Sequence, residues 1–211
     1  MTETLTIRST DDLTLEAQLD AHAEPRASLV LCHPHPKMGG TMNAPLLVAV
    51  ADHLTARGWA VLRFNFRGIG ASEGAPGTGL DEIADADGAI AEMKRRYDLP
   101  IAIAGWSFGA AVAIRVAAHT PELVAVVGIA PAVREKPGIT VGLPAPDETT
   151  LGGELLMICG VNDQLVDPKE VAAWARAAGG RYIEMPGANH FFWAKYDQLA
   201  EKVADFLDEA L

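Results

Sequence analysis

Ser107 stands in Gly105-Trp-Ser-Phe-Gly109, between the apolar residues 100–104 and an Ala/Val-rich run over 110–118. A serine hydroxyl is a poor nucleophile at neutral pH and attacks a carbonyl only with a base in reach and an acid to orient that base. Two histidines lie downstream, His119 and His190. A helix starting at the serine would carry His119 roughly 18 Å away at 1.5 Å per residue. That is out of reach, and it leaves His190, in the loop Pro186-Gly-Ala-Asn-His-Phe-Phe-Trp193. For the acid there are two candidates in Asp163-Gln-Leu-Val-Asp167-Pro168. Asp167 before a proline is accounted for as a helix N-cap. Asp163 has no such role and is the expected orienting acid.

The Gly-x-Ser-x-Gly spacing does not select Ser107 by itself, because Gly70-Ala-Ser72-Glu-Gly74 matches it too. Context separates them. Ser72 runs into Gly-Ala-Pro-Gly-Thr-Gly, which cannot start a helix, so it is read as a loop residue. Ser107 has a strand pattern before it and a helical pattern after it, the setting in which a sharp bend exposes a nucleophile at a helix N-terminus.

The elements that must hold these residues follow from periodicity. Residues 5–8 and 13–19 alternate apolar and polar about Ser9-Thr-Asp-Asp12, which predicts an antiparallel hairpin with one wet face. Ser28-Leu-Val-Leu-Cys32 is then an uninterrupted apolar run, the signature of a strand covered on both faces, and the central sheet is expected to begin there. Strands at 60–66, 100–106, 123–129, 155–159 and 181–185 alternate with helices at 46–57, 80–97, 108–118, 168–178 and 197–211. This predicts an α/β fold, mostly parallel, with helices on both faces. The whole of 1–211 is read as one domain. Residues 130–153, with Pro131, Pro137, Pro144 and Pro146, are read as an irregular excursion near the site. The acidic run 81–87 and Lys94-Arg-Arg96 are read as solvated complements to one helix dipole.

A net charge of −11 offers no basic surface for nucleic acid or anionic membrane. With no long apolar segment and no basic-then-apolar start, the expectation is a soluble cytoplasmic protein. Cys32 and Cys159 end apolar runs and are expected to be buried free thiols.

Ser107, Asp163 and His190, in that order through the chain, resemble the α/β-hydrolase superfamily over its whole length. The loop His33-Pro-His-Pro-Lys-Met-Gly-Gly-Thr-Met-Asn43 resembles that of small lidless bacterial serine esterases related to dienelactone hydrolases. The resemblance implies a serine esterase acting on a small-molecule acyl substrate, with no helical cap, no metal and no cofactor. It also implies an oxyanion hole made by the backbone N–H groups of His35 and Phe108. Many relatives carry glycine where Pro34 stands, and neither Pro34 nor Pro36 has an N–H to give. The rings of His33 and His35 are open between bracing the loop and lining the site. Met38, Trp106, Phe108, Phe192 and Trp193 are candidates for the pocket or for the core. Arg67, in Asn65-Phe-Arg-Gly-Ile-Gly70, is expected to tether its loop by an ion pair. Thioester, lactone or peptide substrates, or a non-catalytic ligand-binding role, are alternatives the same residues leave open, as they do the oligomeric state.

Overall fold

The alternating N-terminal residues form β1 (Thr2–Arg8) and β2 (Thr14–Ala21), paired antiparallel across a turn that Asp12 closes at φ +72°. The apolar runs form β3 (Ala27–Cys32), β4 (Trp59–Phe64), β5 (Ile101–Trp106) and β6 (Ala125–Ile129), and every residue of these four strands is buried, including Arg63 of β4, which pairs with Asp20. β7 (Glu154–Gly160) is buried after its first residue, and β8 (Arg181–Met185) forms the half-exposed edge. The computed structural model describes all 211 residues. They build one eight-stranded sheet in the order β1-β2-β4-β3-β5-β6-β7-β8, antiparallel through β4 and parallel from there to β8.

Five helices cover the sheet: α1 (Pro45–Ala56), α2 (Glu82–Arg96), α3 (Phe108–Ala117), α4 (Pro168–Ala177) and α5 (Tyr196–Glu209). α1 packs with α5 and α2 with α3, so β3 and β5 send their following helices in different directions. β3 and β5 are nonetheless neighbours in the sheet. The chain therefore leaves their carboxyl ends by diverging loops, and the crevice between such loops is where parallel α/β sheets bind ligands. One wall is the loop from His33, the other the turn at Ser107.

The loop after β4 is held by charge and not by packing alone. Arg67 makes a forked pair with Asp85 of α2 (2.8 Å) and reaches Asp11 (2.9 Å). Burial opposes its charge, but those carboxylates raise its pKa above the ordinary value. Glu82 accepts the N–H groups of Gly77 (2.7 Å) and Gly79 (2.9 Å). This corrects the reading of 81–87 as a solvated face, because Glu82 and Asp85 are fully buried. A pattern of charges does not reveal which of them a neighbouring loop will cover. Breaking such a buried pair from one side costs about 3–5 kcal/mol, which is why Arg67 fixes the loop so firmly.

Ser72, the second match to the motif, is such a loop residue: its hydroxyl donates to the Asn65 carbonyl (2.7 Å) and accepts the Glu16 N–H (3.0 Å). Residues 130–153 hold only a 3₁₀ turn (Pro146–Glu148) and one bridge between Lys136 and Thr140. The excursion is pinned by Arg115 on the carbonyls of Val141 and Gly142 and by the Trp174 indole on that of Pro144. No helical cap covers the sheet. No helix is long and apolar enough to cross a membrane.

Candidate active site

β5 ends at Trp106, and α3 begins at Phe108, leaving one residue to make the bend. That residue, Ser107, lies at φ +56°, in the left-handed region that a side chain normally avoids. The bend closes because its flanking glycines lack a Cβ. A Cβ on Gly105 would lie 2.2 Å from the Gly109 carbonyl oxygen, and one on Gly109 would lie 2.4 Å from that of His33. The glycines thus let α3 close onto the strand end, and the Ser107 N–H is held by the Ile129 carbonyl of β6 (2.8 Å).

His190 and Asp163 reach the bend from the loops after β8 and β7. His190 Nε2 lies 3.1 Å from Ser107 Oγ, and His190 Nδ1 lies 2.8 Å from Asp163 Oδ2. The other Asp163 oxygen accepts the N–H groups of Leu165 (2.9 Å) and Val166 (3.0 Å). Burial works against a charge on Asp163, but the His190 hydrogen bond and these backbone donors hold its carboxyl below the usual range. With Asp163 ionised, Nδ1 carries the proton and Nε2 presents its lone pair to the serine. Trp106 donates its indole N–H to the His190 carbonyl (3.2 Å), fixing the loop that carries the imidazole.

Asp167 sits elsewhere, capping α4 by accepting the Lys169 N–H (2.9 Å). His119 is at the far end of α3, against Asp87. Cys32 and Cys159 are buried and unpaired, and burial raises both thiols. The Cys159 sulfur lies 3.7 Å from Asp163 Oδ2, behind the acid.

The loop after β3 is braced through its two rings. His33 Nδ1–H donates to the Pro34 carbonyl (2.7 Å), and Nε2 accepts the Phe66 N–H (3.0 Å). The His35 Nδ1 accepts the Lys37 N–H (3.1 Å) and Nε2–H donates to the Ile139 carbonyl (3.1 Å), tying this loop to the excursion. The backbone N–H groups of His35 and Phe108 donate to no protein acceptor.

Burial pushes the His33 pKa down to about 4, the Pro34 carbonyl offsetting part of the effect. Its ordinary value is about 6.5, so between those pH values the unfolded chain binds the extra proton and the folded chain does not. His33 should therefore contribute nothing to pH dependence above about 6.5 and withdraw about 3 kcal/mol of stability as pH falls to 4. Urea unfolding at pH 7, 5.5 and 4.5 checks this. The difference between wild type and His33→Gln should shrink steadily across that series, and a constant difference would refute it.

Residues 23–152 match the family described as serine aminopeptidase, S33. The chain belongs to that serine aminopeptidase family. It is an α/β hydrolase, and the matched stretch contains Ser107, His35 and Phe108 but ends before Asp163 and His190. An α/β serine hydrolase without lid from Xanthomonas campestris is 28% identical, with a TM-score of 0.85 over 100% of this chain and 95% of that one. An α/β serine hydrolase homologue from Coxiella burnetii is also 28% identical, with a TM-score of 0.85 over 97% of each chain. An uncharacterized protein of Rickettsia prowazekii (strain Madrid E) is 29% identical, over 92% of this chain and 84% of its own.

In this member of the serine aminopeptidase family two cavities meet at Ser107 and His190. The larger, about 500 Å³, runs along Met38, Trp106, Phe191, Trp193 and Tyr196. The smaller, about 160 Å³, lies over Phe108 and is walled by Ala132, Ile139 and Thr140 of the excursion. Met38, Trp106, Phe108 and Trp193, which the sequence left open between pocket and core, line one or both cavities, Trp106 and Phe108 while also belonging to the buried core. Phe192 takes the core alternative: its side chain is fully buried, and Phe191 stands at the larger cavity instead. The reason is local, since Phe192 at φ +52° and Ala194 at φ +60° invert the expected facing of the loop. Neither residue is a glycine, so no sequence signal marks the inversion. Leu165 and Tyr196 also line the site and were not singled out in the sequence. No three His, Cys, Asp or Glu side chains gather to hold a metal ion.

Proposed function

We propose that this hydrolase cleaves small or short-chain carboxylic esters through an acyl-enzyme on Ser107. The observation that carries the reading is the unbroken line from Asp163 through His190 to Ser107 Oγ, with 2.8 and 3.1 Å hydrogen bonds. His190 Nε2 takes the hydroxyl proton as Oγ bonds to the ester carbon. The carbonyl oxygen becomes negative and is met by the free N–H groups of His35 and Phe108, an electrostatic effect worth about 3 kcal/mol per donor in comparable sites. Collapse breaks the bond to the alcohol, which leaves with the proton from His190. Water then attacks the acyl-enzyme, His190 takes its proton and returns one to Ser107, and the acid departs.

Two features of the cavities favour a short acyl group that carries no free amine. No Asp or Glu side chain lines either cavity, so a free amino terminus would find no carboxylate partner there. This favours esters over aminopeptidase substrates. The smaller cavity, about 160 Å³, is close in size to one of about 150 Å³ that accepts a benzene ring, so it suits an acyl group of up to about six carbons.

A fluorophosphonate should label Ser107, and p-nitrophenyl esters should peak at chain lengths of six carbons or fewer. Absence of labelling, or a maximum at long chains, would refute the reading. Thioester and lactone controls in the same panel separate the neighbouring activities that share this machinery.

A further inference from the structure

The proposed function leaves the larger cavity without an assigned occupant, and two aromatic rings stand exposed in its lining beside Met38 and Leu165. Phe191 and Trp193 stack with ring centroids 5.1 Å apart and planes 14° from parallel. Trp193 is 65% exposed and Phe191 is 40% exposed, although rings of that size usually find cover. The backbone holds them there at a cost. Phe192 and Ala194 both occupy the left-handed region, at φ +52° and +60°. Each such position costs on the order of 1 kcal/mol or more, and strain of that kind collects at ligand sites. Its effect is to turn Phe192 into the core and leave the rings on either side of it stacked at the cavity mouth.

The position of the stack selects which part of an ester it meets. Phe191 is set edge-on to the His190 ring (5.6 Å, 87°) and to Trp106 (6.4 Å, 89°). Trp106 and Phe191 line the larger cavity only, whereas Phe108, whose N–H is proposed above to meet the carbonyl oxygen, lines the smaller one only. The leaving oxygen must lie at His190 Nε2 to receive its proton, so the alcohol continues along the rings packed against that imidazole. The acyl chain takes the cavity over Phe108. We propose that the Phe191–Trp193 stack is a binding platform for an aromatic alcohol, making short-acyl esters of aryl-bearing alcohols the preferred substrate class. This rests on the ester-hydrolase reading above.

The test compares benzyl butyrate with cyclohexylmethyl butyrate, which share an acyl group and a primary alcohol and differ in ring planarity. Wild type should favour the benzyl ester by about 3- to 10-fold in kcat/KM, the equivalent of one aromatic pair. Most of that ratio should appear in KM, because a ring remote from the reacting bond is bound alike before and during reaction. Trp193→Ala and Phe191→Leu should bring the ratio near one, and Trp193→Phe should keep most of it. Trp193 is a surface side chain, so folding does not confound its variants. Of the isomers benzyl acetate and methyl phenylacetate, the former should be the better substrate; the opposite order would put the ring on the acyl side and overturn the assignment. A wild type that fluorophosphonate labels, but that cleaves both butyrates equally, overturns the platform alone. So does a ratio that survives Trp193→Ala. An unlabelled chain that cleaves neither ester overturns the ester-hydrolase reading along with it.

Discussion

Ser107→Ala is expected to lower kcat for short-chain esters by about 10⁵-fold or more, with the melting temperature unchanged or raised. The first half follows from the chemistry: without Oγ no acyl-enzyme forms, and loss of the nucleophile in comparable serine hydrolases costs about 10⁶ in kcat. The residual rate should not vanish, because the His35 and Phe108 N–H groups proposed to hold the carbonyl oxygen would remain, and sites of that kind retain about 10³–10⁴ over water. The second half follows from geometry. Ser107 is held at φ +56° by its neighbours and not by its hydroxyl, whose one protein partner is His190. Steady-state kinetics beside a thermal melt decides it. Undiminished turnover in the variant would remove Ser107 from the reaction.

Asp163→Asn carries the next largest effect, a loss of about 10³–10⁴ in kcat, and the hydrogen bonds explain how. Asp163 Oδ1 accepts two backbone N–H groups, from Leu165 and Val166. An asparagine would keep its amide oxygen on those donors and turn its NH₂ toward His190 Nδ1. That nitrogen would then have to accept, the proton would move to Nε2, and the lone pair now facing Ser107 would be gone. Asp167→Asn is the matched control, since asparagine caps a helix as well as aspartate does. Its turnover should stay within about two-fold of wild type, as expected for a cap that touches only the Lys169 N–H. Equal losses in the two variants would return the choice of acid to question. Fluorophosphonate labelling of Asp163→Asn should slow in proportion to turnover, because the same proton transfer limits both.

These predictions depend on features that differ in how far the chain itself announces them. The parallel sheet was legible because β3 to β6 are apolar but for Ser28 and Arg63, and a strand can be that apolar only when both of its faces are covered. Helix and strand limits moved by one or two residues at most ends, as frayed termini do. The bend at Ser107 was legible for a related reason. Two glycines two residues either side of a serine, between a strand and a helix, admit few geometries, and a Cβ at either would strike a carbonyl oxygen. The separation of Asp163 from Asp167 also came from local chemistry, since a cap before proline explains the second and nothing local explains the first.

What local chemistry could not supply was the state of groups whose partners lie far along the chain. Glu82 and Asp85 look like surface acids until Gly77, Gly79 and Arg67 fold over them. The His35 ring, open in the sequence between bracing its loop and lining the site, does both: it lines the two cavities and spans to Ile139, a partner that no spacing rule connects to it. Phe191 and Phe192 are identical to any pattern, and two left-handed residues decide which of them faces the cavity. The sequence by itself determined the layered fold and the residue types that meet at the strand ends, because both follow from periodicity and backbone sterics. Only the tertiary structure decided which rings line the cavities and which charges are buried, because those depend on long-range contacts and on backbone strain that the surrounding fold sustains.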